Sequence, residues 1–100
     1  MLKTKEKVFL KSYANSHEIL KFNIGKELTN ENVINNLKNG IFKHELIKVS
    51  LLKGAVENVE KEELFEEIAK LLNAEIIHKI GNTAIFYKEN IQSPKHIKVL

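Results

Sequence analysis

Apolar residues at Val8, Phe9, Leu10 and Tyr13 predict a first helix from Thr4 to Ala14, with Thr4 as its N-cap. Leu20 to Ile24 alternates, Leu20, Phe22 and Ile24 on one side and Lys21 and Asn23 on the other, which is the pattern of a short strand ended by Gly25. Thr29 reads as the N-cap of a helix whose stripe is Val33, Ile34, Leu37 and Ile41, weakened near its end by Gly40. Leu46 to Leu52 alternates again, with Ile47, Val49 and Leu51 opposite Lys48 and Ser50, and Lys53 to Asn58 with Gly54 forms the turn after it. Leu64, Phe65, Ile68, Leu71 and Leu72 then recur at helical spacing beneath a glutamate-rich exterior, with Asn73 as the stop. Ala74 to Ile80 and Thr83 to Lys88 complete the pattern as two strands joined by the tight turn Gly81-Asn82.

The order αβαβαββ predicts an α/β fold, a two-layer sandwich with helices packed on a mixed four-stranded sheet. Strands separated by helices run parallel, and the last hairpin is antiparallel. Residues 1–88 make one domain, and the tail from Glu89 to Leu100, with the single proline Pro94, has no period and is expected to be loosely held.

Alternation also assigns the open side of the sheet. If Phe22, Ile24, Ile47, Val49 and Leu51 face the helices, Lys21 and Lys48 face away from them. A third strand with Ile76, His78 and Ile80 inward turns Lys79 outward beside Ile77. In the fourth, Lys88 outward brings Phe86 with it, although Ile85 and Tyr87 fit that phase as well. A basic sheet face carrying an aromatic ring suits single-stranded or irregular RNA, lysines neutralising phosphates and rings stacking on unpaired bases.

Charge sharpens this picture. The stretch from Glu57 to Glu75 holds seven glutamates against Lys61 and Lys70, a balance of −5, while the remaining residues carry 14 lysines and six glutamates, a balance of +8. A basic body with one acidic helix fits a polyanion met on one side. Every one of the 16 cations is lysine, a bias that accompanies eleven asparagines and reads as codon composition rather than chemistry.

Catalysis finds no support in the residues. There is no cysteine for a disulfide or thiolate metal site, and His17, His44, His78 and His96 lack metal-ligand spacing. Glu62/Glu66 and Glu63/Glu67 share helical faces but read as a solvated surface, and no nucleophile elbow, phosphate loop or dinucleotide motif occurs. No apolar stretch has signal or membrane-spanning length, so a cytoplasmic protein without cofactor or membrane contact is expected.

Several segments, in order, resemble the YhbY-like family, also named for chloroplast RNA splicing and ribosome maturation (CRM). They are Phe22-Asn23-Ile24-Gly25-Lys26, Leu28-Thr29 before the second helix, Glu45-Leu46-Ile47-Lys48-Val49, and Ile80-Gly81-Asn82-Thr83 followed by Phe86-Tyr87-Lys88. The likeness spans about residues 5 to 88, and Glu-Leu-Ile-Lys-Val is its most specific element. It implies a fold similar to the C-terminal domain of translation initiation factor 3, RNA binding and, for stand-alone bacterial members, association with the precursor of the large ribosomal subunit. The family's Gly-x-x-Gly loop is here Gly25-Lys26-Glu27-Leu28, one residue short and without the second glycine. Asn82 stands where a basic residue is usual, and Lys88 replaces an arginine, keeping charge without the bidentate fork. Weaker, less geometry-specific RNA contact is the expectation.

The candidate RNA-binding residues are therefore Lys21, Gly25, Lys26, Lys48, Lys79, Asn82, Thr83, Phe86 and Lys88. They point to a monomeric assembly factor that holds immature ribosomal RNA. The competing expectation is a protein-interaction module whose acidic third helix docks a basic ribosomal protein.

Overall fold

The computed structural model describes residues 3–25, 30–52, 60–93 and 97. Three helices, α1 (Thr4–Ser16), α2 (Glu31–His44) and α3 (Lys61–Leu72), accompany four strands, β1 (Leu20–Ile24), β2 (Leu46–Leu51), β3 (Glu75–Ile80) and β4 (Thr83–Tyr87). The strands form one mixed sheet in the order β1-β2-β4-β3, with β1 parallel to β2 and β4 antiparallel to both of its neighbours. The αβαβαββ order and the mixed sheet are as the periodicity predicts.

Local chemistry explains most boundaries. The N-cap of α1 is Lys3 rather than Thr4: its backbone N–H donates to the Glu6 carboxylate at 2.8 Å. For α2 the cap is Asn30, whose side chain accepts from the Asn32 N–H at 2.8 Å; the expected cap Thr29, like Lys26 and the Lys53–Asn58 turn, lies outside the described residues. Asn73 ends α3 in the left-handed conformation that asparagine tolerates. Gly81 has φ +57°, the first central position of a two-residue hairpin turn in which glycine meets no steric penalty.

Both parallel crossovers, β1–α2–β2 and β2–α3–β3, move along the sheet in the same direction, and their common right-handedness puts α2 and α3 on one face. There Ile24, Ile47, Val49, Leu51, Ala84 and Phe86 meet Leu37, Ile41, Phe65, Ile68 and Leu72 in the main core. Phe65 and Phe86 pack edge to face with centroids 6.2 Å apart. Gly40 has a function here beyond weakening its helix, because a Cβ at that position would come within 2.8 Å of the Phe22 ring and 2.9 Å of Leu20. α2 approaches β1 closely because Gly40 has no side chain. Gly40→Val is expected to destabilise the fold by roughly 1–3 kcal/mol through overpacking, measured by urea denaturation.

α1 lies on the other face, which departs from a plain two-layer sandwich. Leu10 and Ala14 pack there against Leu46, Ile77, Ile85 and Tyr87. Alternation puts Ile76 in the α2–α3 core and Ile77 under α1, and a β-bulge between Ile76 and His78 then keeps His78 on the α1 face as well, reversing the phase of the rest of β3.

The described residues of the tail make specific contacts with the domain. Glu45, fully buried with φ 63° at the end of α2, accepts from the backbone N–H of Asn90 at 2.5 Å and from that of Ile97. The Asn90 amide donates to the Phe42 carbonyl at 2.8 Å, the Ser93 hydroxyl to that of Lys43, and Ile97 is buried in the α1 cluster. A buried carboxylate needs donors, and the tail supplies two of them.

Candidate nucleic-acid interface

α1 covers only part of its sheet face. The uncovered part forms a groove of about 360 Å3 lined by Lys11 and Asn15 of α1, Lys21, Lys48, Thr83, Ile85, His78 and Ile80. Lys21 and Lys48 stand directly opposite each other on parallel strands, whose axes are roughly 4.8 Å apart. Like charges so placed repel. None of the eight described residues lining this groove is acidic. Both line the groove, Lys21 exposed and Lys48 half-buried. At the groove's edge the Ser50 and Thr83 hydroxyls bond to each other at 2.8 Å across the β2–β4 pair.

Of the predicted site residues, Lys21, Lys48 and Thr83 come together in this groove. Gly25 and Asn82 lie at the same end of the sheet: the Leu52 N–H bonds to the Ile24 carbonyl at 2.8 Å and the Leu51 N–H to the Asn82 carbonyl at 2.7 Å. Lys88 is at the other end, its N–H bonded to the Glu45 carbonyl beside the start of β2, roughly 15 Å away along the strand.

Two placements need correction. Lys79 pairs with Ala84, a residue of the α2–α3 core, so the bulge in β3 puts it on the opposite face from Lys21 and Lys48, where it is exposed. The expected phase with His78 and Ile80 inward is reversed for the same reason, and both residues line the groove instead. Phe86 is completely buried in the main core and offers no ring for stacking. β4 is covered on both faces, so its apolar run carried no polar phase to orient it.

Lys11, Asn15, His78 and Ile80 are groove residues that the strand pattern alone misses. Ile80, 68% exposed, is the apolar surface of the groove that no core residue explains. A signal exists for two of them, because Lys11 and Asn15 are four apart and follow Leu10 and Ala14, the buried stripe of α1. It becomes legible only when α1 is known to cover this face.

Comparisons with known proteins give the family. The family model of the CRS1 / YhbY (CRM) domain matches residues 2–88. The chain belongs to the CRM domain family. It is 37% identical over 90 residues to "Probable RNA-binding protein YqeI" of Bacillus subtilis (strain 168), a match covering 90% of this chain and 91% of that one. The solution structure of protein SAV1595 from Staphylococcus aureus, a candidate RNA-binding protein, superimposes with a TM-score of 0.74 at 30% identity over the full length of both chains. In this CRM domain the tail anchored by Glu45 extends beyond the matched segment.

Tyr87 closes the α1 side of the sheet at the end remote from the groove, and burial pushes its hydroxyl up to about 12, aided by the negative charges of Glu45, Glu89 and Glu6. Between pH 10 and 12 the folded CRM domain keeps this proton while the unfolded chain loses it. Stability is therefore fully present below pH 10 and declines as pH rises toward 12. Ultraviolet titration should show a tyrosine ionising near the top of this window, a step that Tyr87→Phe removes. Alkaline unfolding of that variant should shift to higher pH.

Proposed function

We propose that this CRM domain binds RNA through the groove between α1 and the sheet, and does so on a precursor of the large ribosomal subunit. The carrying observation is the Lys21–Lys48 pair, two lysines paired across adjacent strands in a groove with no acidic residue among its described lining. Such a pair costs stability in the free protein, and a phosphate chain laid across it relieves the repulsion. The description of the Bacillus subtilis relative as an RNA-binding protein supports the same reading. The test is binding of a short unpaired RNA at increasing salt, where each phosphate contact contributes a slope of roughly −0.7. Salt-independent binding, or none, would overturn it. The ribosomal part is tested by whether the tagged protein sediments with large-subunit precursors in cell extracts.

α3 belongs to the opposite layer and presents Glu62, Glu63, Glu66 and Glu67 to solvent. Its carboxylates thus lie across the sheet from the groove, where a phosphate chain is not repelled. Changing all four to glutamine is expected to leave RNA affinity unchanged or raise it severalfold. A large loss in a folded variant would favour α3 as a docking surface for a basic protein.

A further inference from the structure

The groove does not end at the lysines. A second depression of about 310 Å3 shares Asn15, Lys21 and Lys48 with it and continues under the C-terminal turn of α1 to His17, Glu18 and Ile19. His17 is exposed, and its ring lies nearly parallel to that of Tyr13, with centroids 3.9 Å apart and 9° between planes. The ring is also held from its edge: Nδ1 is 3.1 Å from the Tyr13 carbonyl oxygen and 3.0 Å from the Ser16 hydroxyl. A carbonyl only accepts, so Nδ1 carries the proton, and in the neutral ring Nε2 is the acceptor. An aromatic plane is thus fixed in orientation at the mouth of a lysine-lined channel, backed on one side by a second ring.

We propose that the face of His17 turned away from Tyr13 is a stacking seat for one unpaired RNA base. Its neighbouring phosphates lie over Lys21 and Lys48, and the inference rests on RNA being the ligand of the groove. Stacking on a ring already held in place costs no further ordering of that side chain, and every base presents a suitable face. A base inside a duplex has both faces covered by its neighbours. The seat therefore selects unpaired RNA, and Nε2 is placed to accept from a base amino group or a 2′-hydroxyl.

The experiment uses the full chain and short unpaired RNAs carrying 2-aminopurine at successive positions, whose emission falls on stacking. Wild type should quench one position strongly. His17→Ala should relieve that quench and weaken binding at least about 5-fold, while His17→Phe, which keeps a ring, should restore both. Circular dichroism confirms that α1 persists in each variant. Unchanged quench and affinity in His17→Ala, alongside weakened binding in Lys21→Ala and Lys48→Ala, would overturn the stacking seat and leave the RNA reading standing. Equal competition by a duplex of the same sequence would also overturn it. If wild type binds none of these RNAs, the RNA reading itself fails.

Discussion

Replacing Lys21 and Lys48 together with alanine should lower affinity for unpaired RNA on the order of 100-fold at low salt, taking roughly 1–2 kcal/mol for each charge placed against a phosphate. The logarithmic salt slope should flatten by about 1.4, the sum of two single-strand contacts. The loss should be alike across RNA sequences, because a phosphate contact carries no base information. Removing one of two opposed ammonium groups should at the same time stabilise the free fold slightly, as like charges on neighbouring strands repel. Binding titrations and urea denaturation on the same proteins measure both effects. A double variant that keeps full affinity and slope would place RNA elsewhere or nowhere. Lys61→Ala and Lys70→Ala, on the helix across the sheet, serve as controls and should change neither quantity.

The second large effect falls on stability. Phe86→Ala should destabilise the domain by roughly 3–5 kcal/mol, because the ring is fully buried against Phe65 and its removal leaves a cavity between the sheet and α3. That is a large fraction of the stability of a domain of this size. Phe86→Leu, which conserves more volume, should cost much less. Denaturation midpoints give the stability. RNA binding by the Phe86→Leu protein, at a temperature where it is folded, separates the core role from the stacking role that the sequence suggested. Near wild-type affinity is expected; a specific affinity loss in a stable protein would mean that the ring reaches RNA after all.

The sequence alone determined the elements and the chemistry of the strands. Val33, Ile34, Leu37 and Ile41 recur at helical spacing, as do Leu64, Phe65, Ile68, Leu71 and Leu72, while β1 and β2 alternate with period two; such patterns report which face an element buries, and of these helix residues all but Ile34 and Leu71 pack in the main core. That alternation put Lys21 and Lys48 on the same face before any pairing was known, and the parallel register then set them directly opposite each other. The tertiary structure decided what alternation could not express. β3 contains an extra residue at its bulge, which reverses the faces of His78, Lys79 and Ile80, and a bulge leaves no mark in a period-two count. β4 is covered on both faces, so Ile85 and Phe86 were equally apolar choices until α1 took one side and α2 and α3 the other. The position of α1 was also open, because its weak stripe says that it packs but not on which layer; the shared handedness of the two crossovers assigns α2 and α3 to one face and leaves the other for it. The groove, and with it the juxtaposition of Lys11, Asn15 and His17 with Lys48, exists only because α1 packs against β2, β3 and β4, strands far from it in sequence. Glu45 shows the same limit from inside the fold, since its carboxylate is satisfied by residues 45 and 52 positions further on, a long-range pairing that no local pattern encodes.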